Sequence, residues 1–347
     1  MKALVKYEKG VDRMEIRDLP MPIPAAGEVL IKVRAVGICG TDLKIQRDDF
    51  TYIPPVILGH EFSGTIEQLG ECVARWSIGD RVVSEQHTLA CGHCRYCLAG
   101  KRQFCPSKRS PGYMIDGAFA EYIKMPASLL HRMPAGMTFE EGALVEPFAV
   151  AAYGILSRCG IQPEDYVVIL GSGPIALLAV QMIMAEGASR VLVTGIDADE
   201  NLRFPVARSF GAYRTINSLR EDPVRAVLDD TGGQGADVVI DLSGAAGAIL
   251  QGMDMIRKNG RFCALGLPAG DVSLPWAKIA LKAIDLIFSY SSDYESWERC
   301  LSMISCGKVR LGQFTKDSYV LDDWATAFAT ARGGQALKVI IKPDSGK

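Results

Sequence analysis

The stretch Tyr166-Val-Val-Ile-Leu-Gly-Ser-Gly-Pro-Ile-Ala176 decides the fold of this chain. Its first five residues are apolar and predict a buried strand, and the charge-free residues after the glycines are typical of a buried helix. A strand, a G-x-G-x-x-A turn and a helix in this order are the fingerprint of a dinucleotide-binding fold. In this interpretation Gly171 makes the tight turn and Gly173 lets the backbone approach a pyrophosphate. Pro174 suits the first helical position, and Ala176 allows the helix to pack closely on the strand.

The same alternation of strand and helix continues towards the C-terminus. Further strands are predicted at 190–194, 213–216, 236–242, 261–265 and 284–290. Helices are predicted at 175–186, 200–210, 222–229 and 245–257. Six strands that alternate with helices require parallel pairing with right-handed crossovers, so we expect a doubly wound parallel sheet, a Rossmann domain, over residues 153–290.

The segment before residue 152 has a different character, mainly β. Short β-prone runs at 3–7, 28–36, 62–69 and 81–85 are separated by turns rich in proline and glycine. Residues 291–347 contain one helical piece, 294–306, and one late strand, 339–341, and are too short for a third domain. We therefore expect an α/β protein with a mainly β domain at 1–152, the parallel-sheet domain, and a C-terminal return to the first domain.

Composition excludes several classes of partner. The 347 residues carry 38 basic and 40 acidic side chains, a formal net charge of −2, so there is no electrostatic reason to expect nucleic acid or a membrane surface as partner. The N-terminus has charges every few residues and no apolar core of a signal peptide. The charge-free run 166–185 contains a glycine–proline cluster that a membrane-spanning helix tolerates poorly. We expect a soluble, cytoplasmic protein that acts on small molecules.

Four of the ten cysteines crowd into the lobe 88–107. Cys91, Cys94, Cys97 and Cys105 follow one another at spacings of three, three and eight. Four thiolates from one compact lobe suit a tetrahedral zinc ion with no open position, which is a structural site. An iron–sulfur cluster and four metal-free thiols are the alternatives. His93 lies between the ligands and is interpreted as a surface residue.

A second, dispersed set of residues could hold a catalytic metal. Cys39, His60, Glu61 and Glu146 supply one thiolate, one imidazole and two carboxylates. Each alone has an ordinary explanation: a core cysteine, a hydrogen-bonded histidine, or a glutamate that caps a helix. Together they suit a zinc ion that keeps one position open for substrate.

The end of the second Rossmann strand bears on the choice between NAD and NADP. Asp197 and Asp199 follow it and could accept hydrogen bonds from the ribose hydroxyls, which favours NAD. Gly195 at the strand tip and Arg203 nearby could instead admit the 2′-phosphate of NADP, and solvated loop charges are the plain alternative. We favour NAD.

These residues belong to motifs that, taken together, point to one family. They are GICGTD at 37–42, GHEFSG at 59–64, the four-cysteine lobe, GAFAEYIKMP at 117–126, LVEP at 144–147 and GSGPIA at 171–176. Over essentially its whole length the chain resembles the zinc-dependent medium-chain dehydrogenases, and within them the sorbitol (polyol) dehydrogenase branch. The resemblance implies a GroES-like catalytic domain, a Rossmann coenzyme domain, and an active site in the cleft between them.

The resemblance also implies roles for individual residues. Cys39 and His60 match the family's catalytic zinc ligands, and Glu61 and Glu146 match the two carboxylates that complete or exchange at that metal. Thr41 matches the hydroxyl that relays the substrate proton. Lys44 stands where some members carry a histidine of the same relay, so Lys44, the coenzyme ribose and water are the alternatives for its outer step. Beside Gly171, Ser172, Gly173 and Pro174 of the glycine-rich turn and the candidate acids Asp197 and Asp199, the resemblance implies further coenzyme contacts. They are Ile175, Arg203, Leu265, Gly266, Leu267, Phe288, Ser289 and Tyr290. Gly195 departs from the family, because NAD-preferring members carry an aspartate there.

The predicted function is the interconversion of a secondary alcohol of a polyol or sugar derivative and its ketone, with two zinc ions per chain and NAD(P). A threonine-type amino-alcohol dehydrogenase shares the ligand pattern, and a non-catalytic redox sensor that binds the coenzyme is the alternative from another class. Phe50, Tyr52 and Tyr113 are candidates for the substrate pocket wall, with plain packing as the competing explanation. The apolar strand 284–290 would lie at a sheet edge, which predicts a homodimer or homotetramer.

Overall fold

The computed structural model describes residues 1–343, and the chain divides into two compact units. The first unit comprises Met1–Pro147, Asp293–Ser305 and the chain from Leu311 onward. The second comprises Phe148–Ser292 and Cys306–Arg310. The sequence predicts domain boundaries after residues 152 and 290.

Sixteen strands and eleven α-helices are formed within residues 1–343. The strands are β1 (Lys2–Lys6), β2 (Met14–Asp18), β3 (Glu28–Gly37), β4 (Val56–Ile57), β5 (Glu61–Leu69), β6 (Arg81–Ser84), β7 (Tyr122–Pro126), β8 (Leu130–Arg132), β9 (Tyr166–Leu170), β10 (Arg190–Gly195), β11 (Arg214–Asn217), β12 (Ala236–Asp241), β13 (Ile256–Ala264), β14 (Asp285–Phe288), β15 (Asp317–Val320) and β16 (Val339–Lys342). The helices are α1 (Gly40–Gln46), α2 (Arg95–Leu98), α3 (Phe139–Gly142), α4 (Val145–Ala152), α5 (Pro174–Ala185), α6 (Arg203–Ser209), α7 (Pro223–Asp230), α8 (Ala246–Met255), α9 (Trp276–Lys282), α10 (Tyr294–Ser305) and α11 (Trp324–Gly333). A π-helical segment follows α4 at Tyr153–Cys159.

The first unit is built on a seven-stranded sheet. Its strands follow the order β15-β16-β3-β5-β6-β8, and β7 pairs with β3 as well. The antiparallel register of β3 and β5 sets Gly37 opposite Glu61, and β16 pairs Ile340 with Gly37. The start of β5 and strand β16 are thereby held beside the last residue of β3.

The second unit contains a six-stranded parallel sheet in the order β11-β10-β9-β12-β13-β14. This confirms the doubly wound Rossmann sheet predicted from the sequence. All five residues of β9 are buried, as expected for the central strand of a sheet covered on both faces. The strand order reverses between β9 and β12, and ligands of such sheets bind at the carboxyl ends of the strands near this point.

Several element boundaries differ from the prediction. Helix α8 ends at Met255 because the chain passes directly into β13 at Ile256, five residues before the predicted strand start. Helix α9 was not predicted; it is a seven-residue helix with Trp276 73% exposed, so it lacks a long buried face that would mark it in the sequence. In the C-terminal segment, α10 and β16 match the predicted pieces, while β15 and α11 were missed.

No helix among residues 1–343 combines the length and apolar character needed to cross a membrane.

Candidate metal centre and coenzyme-binding turns

Three of the predicted metal ligands meet in the first unit. One donor atom each from Cys39, His60 and Glu61 lies within 4.8 Å of the others. Cys39 immediately precedes α1, and β5 begins at Glu61, so regular elements hold all three residues in place. A thiol, an imidazole and a carboxylate are the donors that zinc binds in catalytic sites, where a fourth position is left for substrate.

The charges around this cluster also fit a divalent cation. Burial raises the pKa of the Cys39 thiol well above its ordinary value, and the facing Glu61 carboxylate raises it further. Burial likewise raises the pKa of Glu146 to about 7 and that of Asp42. A site that crowds a thiol and several carboxyl groups away from water is stabilised by a bound cation, because the cation favours their charged forms.

Glu146 is the predicted ligand that stands apart. It lies in the first turn of α4, is half-buried, and is not a member of the 4.8 Å group. Its charge nevertheless acts on the same centre, because the pKa of Glu146 responds to both His60 and Glu61.

Asp42 is hydrogen-bonded to one of the ligands, Cys39, and lies near a second, His60; it was not predicted. Its Oδ2 accepts a hydrogen bond from the Cys39 backbone N–H at 2.8 Å, and its Oδ1 lies 3.8 Å from His60 Nδ1. The side chain is completely buried. The signal in the sequence was an acidic residue three positions after the ligand cysteine, at the start of a helix, where it can bond back to the residue before the helix.

Lys338 is the second residue that sequence reasoning missed. Its Nζ pairs with Glu61 Oε2 in the interior, where both side chains are at most 5% exposed. Burial acts to lower the pKa of Lys338, but Glu61 and Cys39 outweigh it and raise the pKa overall. Gly37 makes room for the pair, since a Cβ there would lie 2.4 Å from Glu61 Oε2. A lysine directly before an apolar strand was the available signal.

The two predicted relay residues lie on α1, next to Cys39. Thr41 is in its first turn and Lys44 follows three residues later, so both project from the same side of the helix. Both are half-buried. This places a hydroxyl and an ammonium group in line along one short helix that starts at the metal ligand.

Two of the three predicted pocket aromatics stand near the cluster. The Tyr113 ring lies 6.1 Å from the His60 ring and 5.6 Å from Phe50, each edge to face. Tyr52 is buried instead, and its hydroxyl donates to Asp48 at 2.5 Å. These contacts favour packing, the competing explanation, over a place for Tyr52 in the substrate pocket wall.

The four lobe cysteines converge on one point. Their sulfur atoms all lie within 4.8 Å of one another. Backbone N–H groups donate to the sulfurs: that of Cys94 to Cys91 at 3.3 Å, and that of Cys91 to Cys105 at 3.3 Å. Hydrogen bonding lowers the pKa of Cys105 to about 6, which favours the thiolate that metal binding requires. His93 is exposed, and its Nδ1 lies 2.8 Å from the Cys91 carbonyl oxygen.

The glycine-rich turn of the second unit has the predicted form. Gly171 follows β9 with φ at +98°, a conformation that L side chains rarely adopt. Gly173 precedes α5, and a Cβ there would meet nothing within 4 Å, so its missing side chain leaves open space in front of the helix N-terminus. Ser172 beside it is buried, and its hydroxyl has no hydrogen-bond partner among the residues described.

The tip of β10 shows how the candidate ribose-binding acids are arranged. Asp199 is buried; its Oδ2 accepts the Ile196 N–H at 2.9 Å, and its Oδ1 accepts from Arg203 at 2.8 Å. A Cβ at Gly195 would lie 2.6 Å from Asp199 Oδ2, so this carboxylate fills the place of a side chain at the strand tip. Asp197 is more exposed, and a hydrogen bond from Arg220 lowers its pKa.

The remaining predicted coenzyme residues lie at the ends of β13 and β14. The side chains of Leu265 and Ser289 come together at Gly154, where a Cβ would lie 2.7 Å from Leu265 Cδ2 and 3.1 Å from Ser289 Cβ. Leu267 and Phe288 are each 65% exposed.

Comparison with known proteins agrees with this architecture. Residues 25–135 match the model of the alcohol dehydrogenase GroES-like domain, and residues 174–305 match that of the zinc-binding dehydrogenases. Sorbitol dehydrogenase of Halalkalibacterium halodurans is 36% identical over 344 residues, which cover 99% of each chain. L-threonine 3-dehydrogenase of Pseudoalteromonas atlantica is 34% identical over 349 residues, covering 98% of this chain and 99% of the relative.

Among solved structures, a zinc-binding dehydrogenase of Sinorhizobium meliloti bound to NADP superimposes with a TM-score of 0.91 at 28% identity, covering 99% of both chains. The chain therefore belongs to the zinc-dependent medium-chain dehydrogenases, and its similarity to a sorbitol dehydrogenase supports the polyol branch. It is an NAD(P)-dependent oxidoreductase that acts on CH–OH groups.

Proposed function

We propose that this enzyme transfers a hydride between a secondary alcohol of a polyol or sugar derivative and NAD(P), giving the ketone. The cluster of Cys39, His60 and Glu61 carries the proposal, because three convergent donors suit a metal that binds substrate at an open position. Zinc bound there would polarise the substrate oxygen, and NAD(P) would accept the hydride. The similarity to a sorbitol dehydrogenase over 99% of the chain supports the substrate class.

Within the site, each residue has a distinct task. Cys39 and His60 hold the metal, and Asp42 fixes the Cys39 backbone through its 2.8 Å hydrogen bond. Glu61 belongs to the three-donor group, which supports it as the direct carboxylate ligand, while Glu146 is the carboxylate that exchanges with it.

Proton removal runs along α1. Lys44 would first release a proton to solvent; Thr41 would then pass its own hydroxyl proton to the neutral Lys44 amine as it receives the proton of the substrate hydroxyl. Their spacing of three residues on one helix supports this direction.

Two zinc ions per chain follow from the two donor groups, one catalytic and one structural in the 88–107 lobe. Metal analysis of protein purified without added metal tests the count. Two equivalents of zinc agree with the proposal, whereas iron with visible absorbance from the lobe would replace it by an iron–sulfur site.

NAD is the favoured coenzyme. Asp199 is already bonded to Arg203 at 2.8 Å, which partly neutralises a cation that a 2′-phosphate would need. Asp197 and Asp199 both add negative charge at the strand tip, where a second phosphate would be repelled. A higher kcat/KM with NADP than with NAD would reverse this assignment and make Arg203 the 2′-phosphate contact.

A threonine-type amino-alcohol dehydrogenase is the second candidate, favoured by the similarity to the P. atlantica enzyme. Steady-state turnover of zinc-loaded protein separates the two. Hexitols, pentitols, sugar phosphates and threonine are each assayed at 340 nm with NAD and with NADP. Turnover of a polyol or its phosphate supports the first function; turnover of threonine alone assigns the second.

We also propose that the enzyme is a cytoplasmic homodimer or homotetramer. Strand β14 lies at the sheet edge with an exposed Phe288, and unpaired apolar edges favour pairing with another chain. None of the cysteines forms a disulfide among residues 1–343, which suits a reducing compartment. Residues 1–152 and 291–347 would form the catalytic domain and 153–290 the coenzyme domain. Light scattering at micromolar concentration tests the assembly, and a monomeric mass would contradict it.

A further inference from the structure

Asp241 is a buried acid at the carboxyl end of β12 for which the proposed mechanism has no task. Its relative exposure is 0%, and no ion pair joins it to any residue of the described chain. It stands at the point where the strand order of the Rossmann sheet reverses. A buried carboxylate is costly unless hydrogen bonds stabilise it, so its bonds indicate its task.

One oxygen of Asp241 organises the turn that follows β12. Oδ1 accepts from Ser243 N–H at 3.0 Å, from Ser243 Oγ–H at 2.7 Å and from Gly244 N–H at 3.2 Å. Three donors on one oxygen fix the path of residues 242–244 against the end of the sheet. That turn packs on the glycine-rich loop, because a Cβ at Gly171 would lie 3.1 Å from Ser243 Cβ.

The rest of Asp241 organises the turn that follows β13. Its backbone carbonyl accepts from Leu265 N–H at 3.0 Å and from Gly266 N–H at 2.9 Å. Its second carboxylate oxygen, Oδ2, points at Gly266, where a Cβ would lie only 2.3 Å away. The same Cβ would lie 2.4 Å from Gly244 N, and a Cβ at Gly244 would lie 2.9 Å from the Leu267 carbonyl oxygen, so the turns after β12 and β13 are in close contact where both carry glycine.

We propose that Asp241 is a positioning residue that locks the glycine-rich loop and the 265–267 turn into one preformed coenzyme-binding surface. The proposal rests on the proposed function, which assigns both turns to the coenzyme. The Asp241 hydrogen bonds hold the two turns in place in the coenzyme-free enzyme. Their loss lets the turns move independently, and the coenzyme then has to order them at the expense of its own affinity.

Three variants test the proposal through the dissociation constant for NADH, measured by fluorescence titration. Asp241→Ala removes the acceptor of three hydrogen bonds and is expected to weaken NADH binding about tenfold or more. Asp241→Asn keeps one acceptor oxygen towards Ser243 and Gly244, so it is expected to restore affinity to within about threefold of wild type. Ser243→Ala removes the 2.7 Å bond to Asp241 and the 3.0 Å bond that Ser243 Oγ accepts from Ala245 N–H. It keeps the two backbone N–H bonds to Asp241, so its effect should fall between the two.

Asp165 offers a matched control. It is also buried and accepts from Arg261 at 2.7 Å and from Gln162 N–H at 2.7 Å, but it precedes β9 at the opposite end of the sheet. Asp165→Ala should lower the unfolding temperature and leave the NADH dissociation constant unchanged.

The weaker coenzyme binding of Asp241→Ala should also appear in steady-state kinetics, where the KM for coenzyme should change more than kcat.

The outcomes separate the two claims. Wild-type protein that binds neither NADH nor NADPH would overturn the proposed function itself, and if it binds only NADPH the same variants are titrated with NADPH. Wild-type binding that is matched by Asp241→Ala at a temperature where both are folded would overturn the positioning role, as would an equal loss in Asp165→Ala. If Asp241→Ala does not fold, Ser243→Ala decides: a dissociation constant equal to that of wild type overturns the proposal, and a several-fold increase supports it.

Discussion

Replacement of Lys338, the buried lysine beside the metal centre, gives the most informative stability test. Lys338 pairs with Glu61 where the two side chains are 5% and 2% exposed. Lys338→Met keeps the length and packing of the side chain but leaves the Glu61 charge unpaired in the interior. Breaking such a pair from one side costs about 3–5 kcal/mol of unfolding free energy.

Strand β16 provides the control. Lys342, four residues later on β16, pairs with Glu140 at 2.5 Å, but its side chain is 42% exposed. A solvent-screened pair of this kind contributes at most about 1 kcal/mol, so Lys342→Met should be nearly neutral. The two variants remove the same charge from the two ends of β16, Lys338 directly before the strand and Lys342 at its last residue, and differ mainly in burial.

Urea unfolding of the zinc-depleted proteins, followed by tryptophan fluorescence, measures the difference. We expect Lys338→Met to lose several-fold more stability than Lys342→Met, and Glu61→Gln combined with Lys338→Met to recover most of that loss because no buried charge is left unpaired. Equal effects of the two single variants, or a double variant no more stable than Lys338→Met, would refute the reasoning.

Four further predictions concern the glycine-rich turn, the cysteine lobe and the proton relay. Gly173→Ala should fold normally, because nothing lies within 4 Å of the new Cβ, yet weaken NADH binding in a fluorescence titration. Gly171→Ala should cost about 1–2 kcal/mol in thermal unfolding because its φ is +98°. Cys94→Ser should reduce bound zinc by one equivalent in metal analysis and lower the melting temperature, with residual turnover wherever the protein stays folded. Lys44→Met should lower kcat for alcohol oxidation while leaving the coenzyme dissociation constant unchanged.

The Rossmann sheet could be predicted from the sequence because each strand carries its own signal. A central parallel strand is apolar along its whole length, as 166–170 is, and the glycine turn marks its end. The sheet of the first unit is harder to predict from the sequence, because it joins strands that are far apart along the chain. Strand β16 pairs with β3, about 300 residues earlier, and no local sequence pattern encodes such a pairing.

The residues of the candidate site likewise divide into those that the sequence predicts and those that it does not. Cys39, His60 and Glu61 could be named because thiol, imidazole and carboxylate are metal donors by residue type. Asp42 and Lys338 act through partners instead, and a lone aspartate or lysine in a sequence carries no sign of its partner. Lys338 reaches Glu61 only because the β3–β5 register and the missing side chain of Gly37 leave space between them.

The difference between the two aspartates after β10 likewise could not be predicted from the sequence. The sequence offers Asp197 and Asp199 as equivalent candidates, two residues apart. Their environments differ: Asp199 is buried against the backbone of Ile196 and bonded to Arg203, whereas Asp197 is about half exposed and paired with Arg220. Burial and partner choice of this kind depend on the loop path after the strand, which sequence spacing does not determine.

The most direct test of the central claim compares wild type with Cys39→Ser in two assays on the same preparations. Reduction of NAD by the best polyol is followed at 340 nm, and NADH binding is followed by fluorescence. We expect Cys39→Ser to lose turnover entirely and to keep the wild-type NADH dissociation constant, because the ligand cysteine lies in the first unit and the coenzyme turns lie in the second. Turnover retained by Cys39→Ser would contradict catalysis at this metal centre.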